Sequence, residues 1–391
     1  MPSSRPPEPE QPRRYFNPAP QTIETTTEPG LLEFHRRLPG YAPTPLVPAP
    51  GLAAALGVRQ AWVKDEAQRL GLPAYKILGA SWATYRELGH RFGPFRPWNA
   101  LDDLARQLSV HTLGAHAPLT LVAATDGNHG RAVARMARWL GLGAHIVVPQ
   151  DMVPARREAI EGEGARVEVH PGSYDDAVLA AARLADDTHI VISDTAWDGY
   201  TRVPGWVIAG YSTIFQEMDA QLAALQAPQP DLVAVQMGVG SLAAAVIQHY
   251  RAPGRQTHVV GVEPTRADCV LRSLEAGALT GVPGPHSSIM AGLNCGNTSP
   301  LAWPLLQAGL SASVAIPDAR AEQAMRLLSE DGVISGESGA AGAGGLLELL
   351  SGAQAGAARQ ALGLTAENSV LVISTEGATD PVAYARVVPG K

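Results

Sequence analysis

Cysteine is almost absent from this chain of 391 residues, which contains only Cys269 and Cys295. Two cysteines are too few for the disulfide framework of a small secreted domain, and neither has the closely spaced partners of a zinc site. The simplest interpretation is two reduced, half-buried thiols. A pairing between them stays open, because they lie in two neighbouring segments that contain glycine.

Long apolar runs and basic clusters are also missing. No run approaches the roughly 18 apolar residues that a membrane helix needs, and the N-terminal segment 1–30 is rich in Pro, Glu, Gln and Arg instead of carrying an apolar signal core. The formal net charge is -7, and no basic run is longer than a pair such as Arg13-Arg14. These absences argue against membrane and nucleic-acid partners and favour a cytoplasmic protein that acts on a small molecule.

Lysine is scarce as well. Of 30 Lys and Arg residues, only Lys64, Lys76 and Lys391 are lysines. Since Arg carries most of the positive charge, an internal lysine suggests a need for an amine that can lose its proton, which Arg cannot supply. Chance bias in composition is the alternative. Lys64 lies beside Asp65 and Glu66 and is expected to be ion-paired, which leaves Lys76 as the candidate amine.

Apolar β-rich runs alternate with helical stretches along most of the chain, which has 46% hydrophobic and 17% charged residues. This alternation predicts an α/β fold with parallel sheets, and two such units are expected because one sheet seldom contains so many strands. The predicted strands cover residues 61–63, 119–123, 145–148, 166–169, 189–192, 232–236, 259–262 and 370–373. The predicted helices cover residues 81–88, 131–140, 174–184 and 242–250.

A glycine turn separates the strand at 232–236 from the helix that follows it. The turn is formed by Gly238, Val239, Gly240, Ser241 and Leu242. Glycines let backbone amides close around an anion, and the helix N-terminus adds unpaired N–H groups and the positive end of its dipole. The pattern therefore favours a phosphate site, although turns of this kind also serve as plain connections in α/β folds.

The same turn fits a second ligand, a nicotinamide dinucleotide. Gly238, Gly240 and Ala243 satisfy the dinucleotide fingerprint, and Glu263 stands near the distance at which an acidic residue binds the ribose. That interpretation leaves two other distinctive loops unexplained, so the turn alone does not decide between the ligands.

The first of these loops covers residues 124–130 and links a strand to a helix. Ligands bind at the carboxyl ends of strands in open α/β sheets, so its amides and Asn128 are candidate ligand contacts. Asp126 and His129 are both candidate bases there. Asp126 could instead cap the helix, and His129 could be a half-buried imidazole with its hydrogen bonds satisfied.

The second loop covers residues 372–377, where a late strand ends in hydroxyl groups and glycine; the alternative is an ordinary turn at the end of a strand.

Lys76 opens a predicted helix in the segment 72–80. At that place an amine is expected to be desolvated and close to N–H dipoles, which would lower its pKa and make it nucleophilic.

Together, Lys76, the loop at 125–130, the mid-chain glycine turn and the late strand resemble the fold-type II enzymes that use pyridoxal 5′-phosphate (PLP), the tryptophan synthase β and threonine dehydratase superfamily. The stretches 193–200, 289–296, 334–340 and 373–377 resemble the diaminopropionate ammonia-lyase family. The similarity covers roughly residues 30–390. It implies two parallel-sheet, three-layer α/β domains: a large PLP-binding domain of residues 31–88 and 195–391, and a smaller inserted domain of residues 89–194, after a mobile arm of residues 1–30.

The resemblance also implies roles for single residues. Lys76 would hold PLP as a Schiff base, Asn128 would contact the 3′-oxygen, and residues 238–242 would bind the phosphate. Ser374 would lie at the pyridine nitrogen, with Thr375 in reserve. Lys76 would be the base for the L-substrate and Asp126 for the D-substrate. The substrate-binding set would comprise Thr125, Gly127 and Asp194, the last by charge pairing with a β-ammonium group.

The implied reaction is elimination of ammonia from 2,3-diaminopropionate, giving pyruvate and two ammonia, by a cytoplasmic homodimer. Ala74 stands where many relatives have Ser, and Val239 and Ser241 interrupt the glycines; both departures make serine or threonine dehydration less expected. A dehydratase-like PLP lyase, an NAD-dependent oxidoreductase and a non-catalytic α/β binding protein remain as alternatives.

Overall fold

Two β-sheets organise the chain in the computed structural model, which describes residues 11–25, 28–112, 119–352 and 354–390. The strands found in these ranges are β1 (Arg13–Phe16), β2 (Leu46–Pro48), β3 (Gln60–Asp65), β4 (Thr120–Ala124), β5 (Gly143–Pro149), β6 (Arg166–His170), β7 (His189–Val191), β8 (Leu232–Gln236), β9 (His258–Pro264), β10 (Ala312–Ile316) and β11 (Ser369–Ser374).

Helices cover both sheets. Those within the described ranges are α1 (Leu31–Arg36), α2 (Pro50–Leu56), α3 (Lys76–Phe92), α4 (Leu101–Thr112), α5 (Asn128–Leu140), α6 (Pro154–Glu161), α7 (Tyr174–Ala182), α8 (Arg202–Gly210), α9 (Ser212–Ala224), α10 (Ser241–Tyr250), α11 (Cys269–Ala276), α12 (Trp303–Gly309), α13 (Asp318–Glu330), α14 (Ala341–Leu350), α15 (Ala355–Ala361) and α16 (Pro381–Val387). None of them combines the length and apolar character of a membrane span.

The larger sheet has the strand order β1-β10-β9-β8-β11-β3-β2, and the smaller sheet has the order β6-β5-β4-β7. All pairings of the smaller sheet are parallel. In the larger sheet the five central strands are parallel, whereas β1 and β2 pair antiparallel at its two edges. The predicted α/β fold is confirmed, with the correction that the larger sheet is mixed at its edges.

The predicted mobile arm also needs correction, because β1 lies inside it. Arg13 to Phe16 pair with β10, and the Arg13 guanidinium forms ion pairs with Asp268 and Glu275. Tyr15 packs against the core. These contacts join different parts of the chain and leave no local sequence pattern. Residues 1–10 and 26–27 of the predicted arm lie outside the described residues.

Buried apolar side chains connect the two sheets. One cluster contains Leu121 and Ile146 of the smaller sheet together with Val233 and Leu371 of the larger one. Strands β8 and β11 are buried along their whole length, as expected for parallel strands covered on both faces. The division into domains at residues 89–194 stays a prediction, since this shared core runs across both sheets.

Helices α3 and α8 approach closely where two glycines meet. A Cβ atom added to Gly210 would lie 2.6 Å from the carbonyl oxygen of Leu78 and 2.8 Å from the Cα of Gly79. A Cβ atom on Gly79 would lie 2.5 Å from the ring of Tyr211. Because Lys76 is the first residue of α3, this contact fixes the helix that carries the candidate amine.

We expect the change Gly210→Ala to destabilise the fold by roughly 1–3 kcal/mol, because the added methyl group would overpack a contact between two backbones. Urea unfolding followed by circular dichroism measures the loss. Gly205→Ala on the same helix is the matched control, since its nearest neighbouring atom would be 3.7 Å away. That control should be neutral or stabilising by up to about 1 kcal/mol. Equal stabilities of the two variants would contradict the assigned packing.

Candidate active site

A cavity lies at the carboxyl ends of β4, β8 and β11, where the loops of the two sheets meet. Nine of the residues predicted for the site line it: Lys76, Asp126, Asn128, Asp194, Gly238, Val239, Gly240, Ser241 and Leu242. Lys76 is the only basic side chain among the described lining residues. These nine residues extend along the chain from Lys76 to Leu242, 166 positions later, and the structure brings them together.

Lys76 begins α3, as predicted, but the expected lowering of its pKa is wrong. Its Nζ lies 2.5 Å from Oδ2 of Asp194. Burial alone would lower the pKa of the amine, but the Asp194 carboxylate raises it well above 10.5. The amine is thus a charged ammonium group before any ligand arrives, because a buried opposite charge outweighs desolvation.

Asp194 lies just after β7 and is 3% exposed. Besides Lys76, it accepts a hydrogen bond of 3.2 Å from the Tyr174 hydroxyl. Burial raises the pKa of Asp194, but the Lys76 ammonium more than offsets this and holds it well below its usual range. Because Ser241 Oγ donates to the Asp194 carbonyl oxygen at 2.6 Å, the glycine turn fixes this segment as well.

The His129 imidazole is held in place by a hydrogen bond from its Nε2. Nε2 lies 2.7 Å from the Ile192 carbonyl oxygen, to which it donates. Nδ1 has no hydrogen-bond partner among the described residues and lies 4.0 Å from Asp194 Oδ2. Burial lowers the pKa of His129, so the imidazole is neutral at pH 7. This matches the interpretation of a buried, hydrogen-bonded imidazole, except that one nitrogen is left unsatisfied.

Asp126 points into the cavity and does not cap α5. The residue before that helix is Gly127, and no side chain caps its first turn. Burial raises the pKa of Asp126 above 3.8, while Lys76 and Arg156 oppose this rise. Its carboxyl group therefore lines the cavity and has no capping role in α5.

Two residues predicted to bind substrate do not line the cavity, namely Thr125 and Gly127. Thr125 is fully buried, and its Oγ1 accepts a hydrogen bond of 2.9 Å from the Gly127 N–H. Gly127 has a φ of 149°, which favours glycine. Both residues shape the turn that presents Asp126 and Asn128. Asn128 in turn donates from Nδ2 to the Glu376 carboxylate, which also accepts the Ser338 N–H at 3.2 Å.

The glycine turn has the geometry of an anion site. Gly240 has a φ of 96°, and the N-terminus of α10 has no side-chain cap. A Cβ atom on Gly238 would lie 3.0 Å from Cys295 Sγ and 3.1 Å from the Gly292 carbonyl oxygen, so a side chain would crowd the turn. Uncapped helix amides and a glycine cradle suit a phosphate without a basic side chain.

Glu263 does not serve a dinucleotide. It is fully buried, and its two carboxylate oxygens accept the N–H groups of Val270 and Leu271 at 2.8 Å each. Burial raises its pKa to about 8. Since this carboxyl group is occupied at the start of α11, the ribose contact required by the dinucleotide interpretation is missing.

Ser374 does not line the cavity, contrary to expectation. It is the last residue of β11, and its hydroxyl is buried at 2.8 Å from Ser335 Oγ. Thr375, the reserve candidate, lines the cavity instead. Successive side chains of an extended segment point to opposite sides, so a shift of one residue exchanges the two hydroxyls.

Lys64 is ion-paired, but its partner is not a sequence neighbour. Its Nζ lies 2.9 Å from Glu217 of α9, while Glu66 pairs with Arg69 at 2.7 Å. Arg69 also pairs with Glu217 at 2.7 Å. These four side chains form a buried ionic network of two cations and two anions, placed between β3 and the segment that leads to Lys76.

Several lining residues were not predicted from the sequence. They are Tyr75, Tyr174, Gln236, Gly292, Leu293, Cys295, Ser338 and Glu376. Gln236 and Glu376 lie at or just beyond strand ends, which is a usable signal, whereas Tyr174 and Ser338 belong to no local pattern. Both cysteines are free and buried, and burial raises the pKa of the Cys295 thiol well above 9.0.

Known proteins resemble this chain over nearly its whole length. The sequence profile of a family described as pyridoxal-phosphate dependent enzyme matches residues 37–374. Diaminopropionate ammonia-lyase of Escherichia coli (strain K12) is 35% identical over 385 residues, which cover 96% of this chain and 94% of the relative.

Two crystal structures of the Escherichia coli enzyme share the fold at 33% identity, and each comparison covers 97% of both chains. One holds an aminoacrylate-PLP azomethine reaction intermediate, with a TM-score of 0.84. The other is a complex with D-serine, with a TM-score of 0.85.

Replacing Asp194 by Asn should lower the pKa of Lys76, because burial remains while the opposite charge is lost. Competitive acetylation at several pH values, read by mass spectrometry, reports the pKa of this amine. Asp126→Asn is the control and should give a smaller shift, since Asp126 acts on Lys76 more weakly than Asp194 does. Coincident acetylation profiles for wild type and Asp194→Asn would refute the ion pair as the cause.

Proposed function

Since the chain belongs to the pyridoxal-phosphate dependent enzyme family, we propose that it is a PLP-dependent carbon-nitrogen lyase that eliminates ammonia from 2,3-diaminopropionate. The products are pyruvate and two ammonia molecules, with one water consumed. One observation carries the proposal: a single lysine, ion-paired with Asp194, lines the same cavity as Asp126 and the glycine turn of residues 238–242.

The cavity fits PLP in each of its parts. Residues 238–242 would hold the phosphate through backbone amides, Lys76 would hold the cofactor covalently through Nζ, and Asn128 would contact the 3′-oxygen. When bound, PLP supplies a conjugated ring that takes up the electron pair left on an amino acid's α-carbon after deprotonation. Glu376 orients Asn128 for this contact, because it accepts one of the two hydrogens on Nδ2.

The charges at the site favour a substrate with an additional amino group. While Lys76 is bonded to the cofactor its Nζ would no longer be an ammonium group, so the Asp194 carboxylate would be available to pair with the β-ammonium group of an incoming substrate. An amine leaves as ammonia only when it is protonated, and Asp194 favours that state. A β-hydroxyl group has no charge for Asp194 to pair with, which separates this lyase from a serine or threonine dehydratase.

Borohydride treatment of the PLP-loaded protein should fix the cofactor on Lys76, which peptide mass spectrometry would locate. Pyruvate release should be fastest with diaminopropionate among diaminopropionate, serine and threonine. A protein that stays colourless with PLP and binds NAD would contradict the proposal. Faster release from serine or threonine would identify a dehydratase.

Two bases on opposite faces would let the enzyme use both enantiomers, with Lys76 deprotonating the L-substrate and Asp126 the D-substrate. Asp126 is supported by its place in the cavity and by the absence of a capping role. The D-serine complex of the Escherichia coli enzyme shows that a relative binds a D-amino acid.

Asp126→Asn should reduce kcat for D-diaminopropionate by a factor of about 100 or more and affect the L-isomer much less, since it removes only the second base. In the wild type, activity on the D-isomer requires the ionised carboxylate, so it should fall as the pH drops through a pKa above 3.8. Steady-state rates for both enantiomers across pH measure both effects. Equal losses on the two isomers would reject the assignment.

The pyridine nitrogen of PLP would meet Thr375 instead of Ser374, because only Thr375 lines the cavity. A hydroxyl group leaves this nitrogen unprotonated, which favours elimination over transamination. Thr375→Val should weaken PLP binding about tenfold, the equivalent of one lost hydrogen bond. Ser374→Ala is the matched comparison and should change the dissociation constant less than Thr375→Val, measured by titrating apoenzyme with PLP. A larger effect of Ser374→Ala on the dissociation constant would assign the contact with the pyridine nitrogen to Ser374 instead.

A cytoplasmic homodimer completes the proposal. The reduced state of both cysteines is consistent with a reducing compartment, and the dimer is implied by the resemblance to fold-type II enzymes. Light scattering of the purified protein measures the assembly state directly.

A further inference from the structure

Gln236 ends β8 and is nearly inaccessible, with 4% exposure, yet it lines the cavity. Its Nε2 lies 2.6 Å from Thr375 Oγ1, 3.0 Å from the Ile373 carbonyl oxygen and 3.1 Å from the Gly339 carbonyl oxygen. The side chain thus links the central strand β8 to the end of β11 and to the segment before α14.

These contacts fix which end of the amide is the nitrogen. Exchanging Oε1 and Nε2 would place a carbonyl oxygen against the two backbone carbonyl oxygens, which is repulsive. In the observed orientation Oε1 has no hydrogen-bond partner among the described residues. Gly342 of α14 leaves room for it, since a Cβ atom there would lie 3.2 Å from Oε1.

The amide in turn decides where the Thr375 proton points. An amide nitrogen donates but does not accept, so Thr375 Oγ1 must be the acceptor in this contact. The single hydroxyl proton therefore points away from Gln236. Within the ranges that the structure describes, no acceptor is bonded to it, and the open side of Thr375 faces the cavity.

We propose that Gln236 is a positioning residue that fixes the Thr375 hydroxyl as a hydrogen-bond donor toward the ring nitrogen of bound PLP. The inference rests on the proposed function and extends it. A donor at that nitrogen prevents the nitrogen from taking a proton, so Gln236 selects the electronic state of the cofactor without touching it. An acidic residue in its place would accept the Thr375 proton and leave a lone pair facing the ring.

The test is a double-mutant cycle on PLP affinity, measured by titrating apoenzyme. Gln236→Met and Thr375→Val should each weaken binding about tenfold. The double variant should be weakened about as much as Thr375→Val alone, because Gln236 acts through that hydroxyl. The proposal would be overturned if the double variant weakened PLP binding about a hundredfold, the product of the two single effects. It would also be overturned if the PLP dissociation constant of Gln236→Met stayed within twofold of the wild-type value.

Gln307→Met is the control. Gln307 Nε2 also donates to a backbone carbonyl oxygen, that of Gly277 at 3.3 Å, but the residue does not line the cavity. The PLP dissociation constant of this control should stay within twofold of the wild-type value. Should Gln236→Met fail to fold, Gln236→Asn replaces it in the cycle, since it keeps a polar amide but is too short to reach Thr375.

A second readout follows the ring itself. With PLP labelled by ¹⁵N at the ring, the nitrogen resonance of the wild type should be that of an unprotonated, hydrogen-bonded nitrogen, and Gln236→Met should move it toward the unbonded value. An unchanged resonance would overturn the proposal. If the wild type fails to form the borohydride-stable adduct on Lys76, the proposed function itself is wrong, and the two failures are thereby distinguished.

Discussion

The contact between Lys76 and Asp194 is the constraint on which the arrangement of the cavity depends. It joins the start of α3 to the segment after β7, so it holds together groups supplied by the two sheets. Asp194 is held in turn by Tyr174 and by Ser241 of the glycine turn. The ion pair therefore aligns the amine, the carboxylates and the phosphate cradle before a ligand binds.

Charge is distributed unevenly in this cavity. One ammonium group faces the carboxylates of Asp126, Asp194 and Glu376, and the phosphate cradle contributes only neutral amide dipoles. With Lys76 bonded to a cofactor, these side chains would no longer face an ammonium group, and residues 238–242 would hold the phosphate at the N-terminus of α10. The remaining space is then negative, which suits a substrate that carries two amino groups better than one that carries a hydroxyl.

The sequence was informative wherever the signal was local. The alternation of strands and helices predicted the α/β fold, and glycine spacing located the turn at 238–242. Errors came from contacts between distant residues: Asp194, which raises the Lys76 pKa, is 118 residues away from it, and Glu217 replaces the neighbours expected to pair with Lys64.

The exchange of Ser374 for Thr375 has a different origin. Both residues carry hydroxyls, and which one faces the cavity depends on where β11 ends, a boundary that sequence patterns locate only to within a few residues. Gln236 was overlooked because a single polar residue at the end of a buried strand has no spacing pattern of its own.

The buried ionic network of Lys64, Glu66, Arg69 and Glu217 lies beneath the segment that leads to Lys76, and its formal charges sum to zero. Dissolved ions do not reach these side chains, so electrostatic screening weakens surface ion pairs but leaves this layer intact. The segment that supports Lys76 is consequently insulated from changes in ionic strength. Salt should therefore act on this enzyme through substrate encounter at the negatively charged cavity and not through loss of the lysine's geometry.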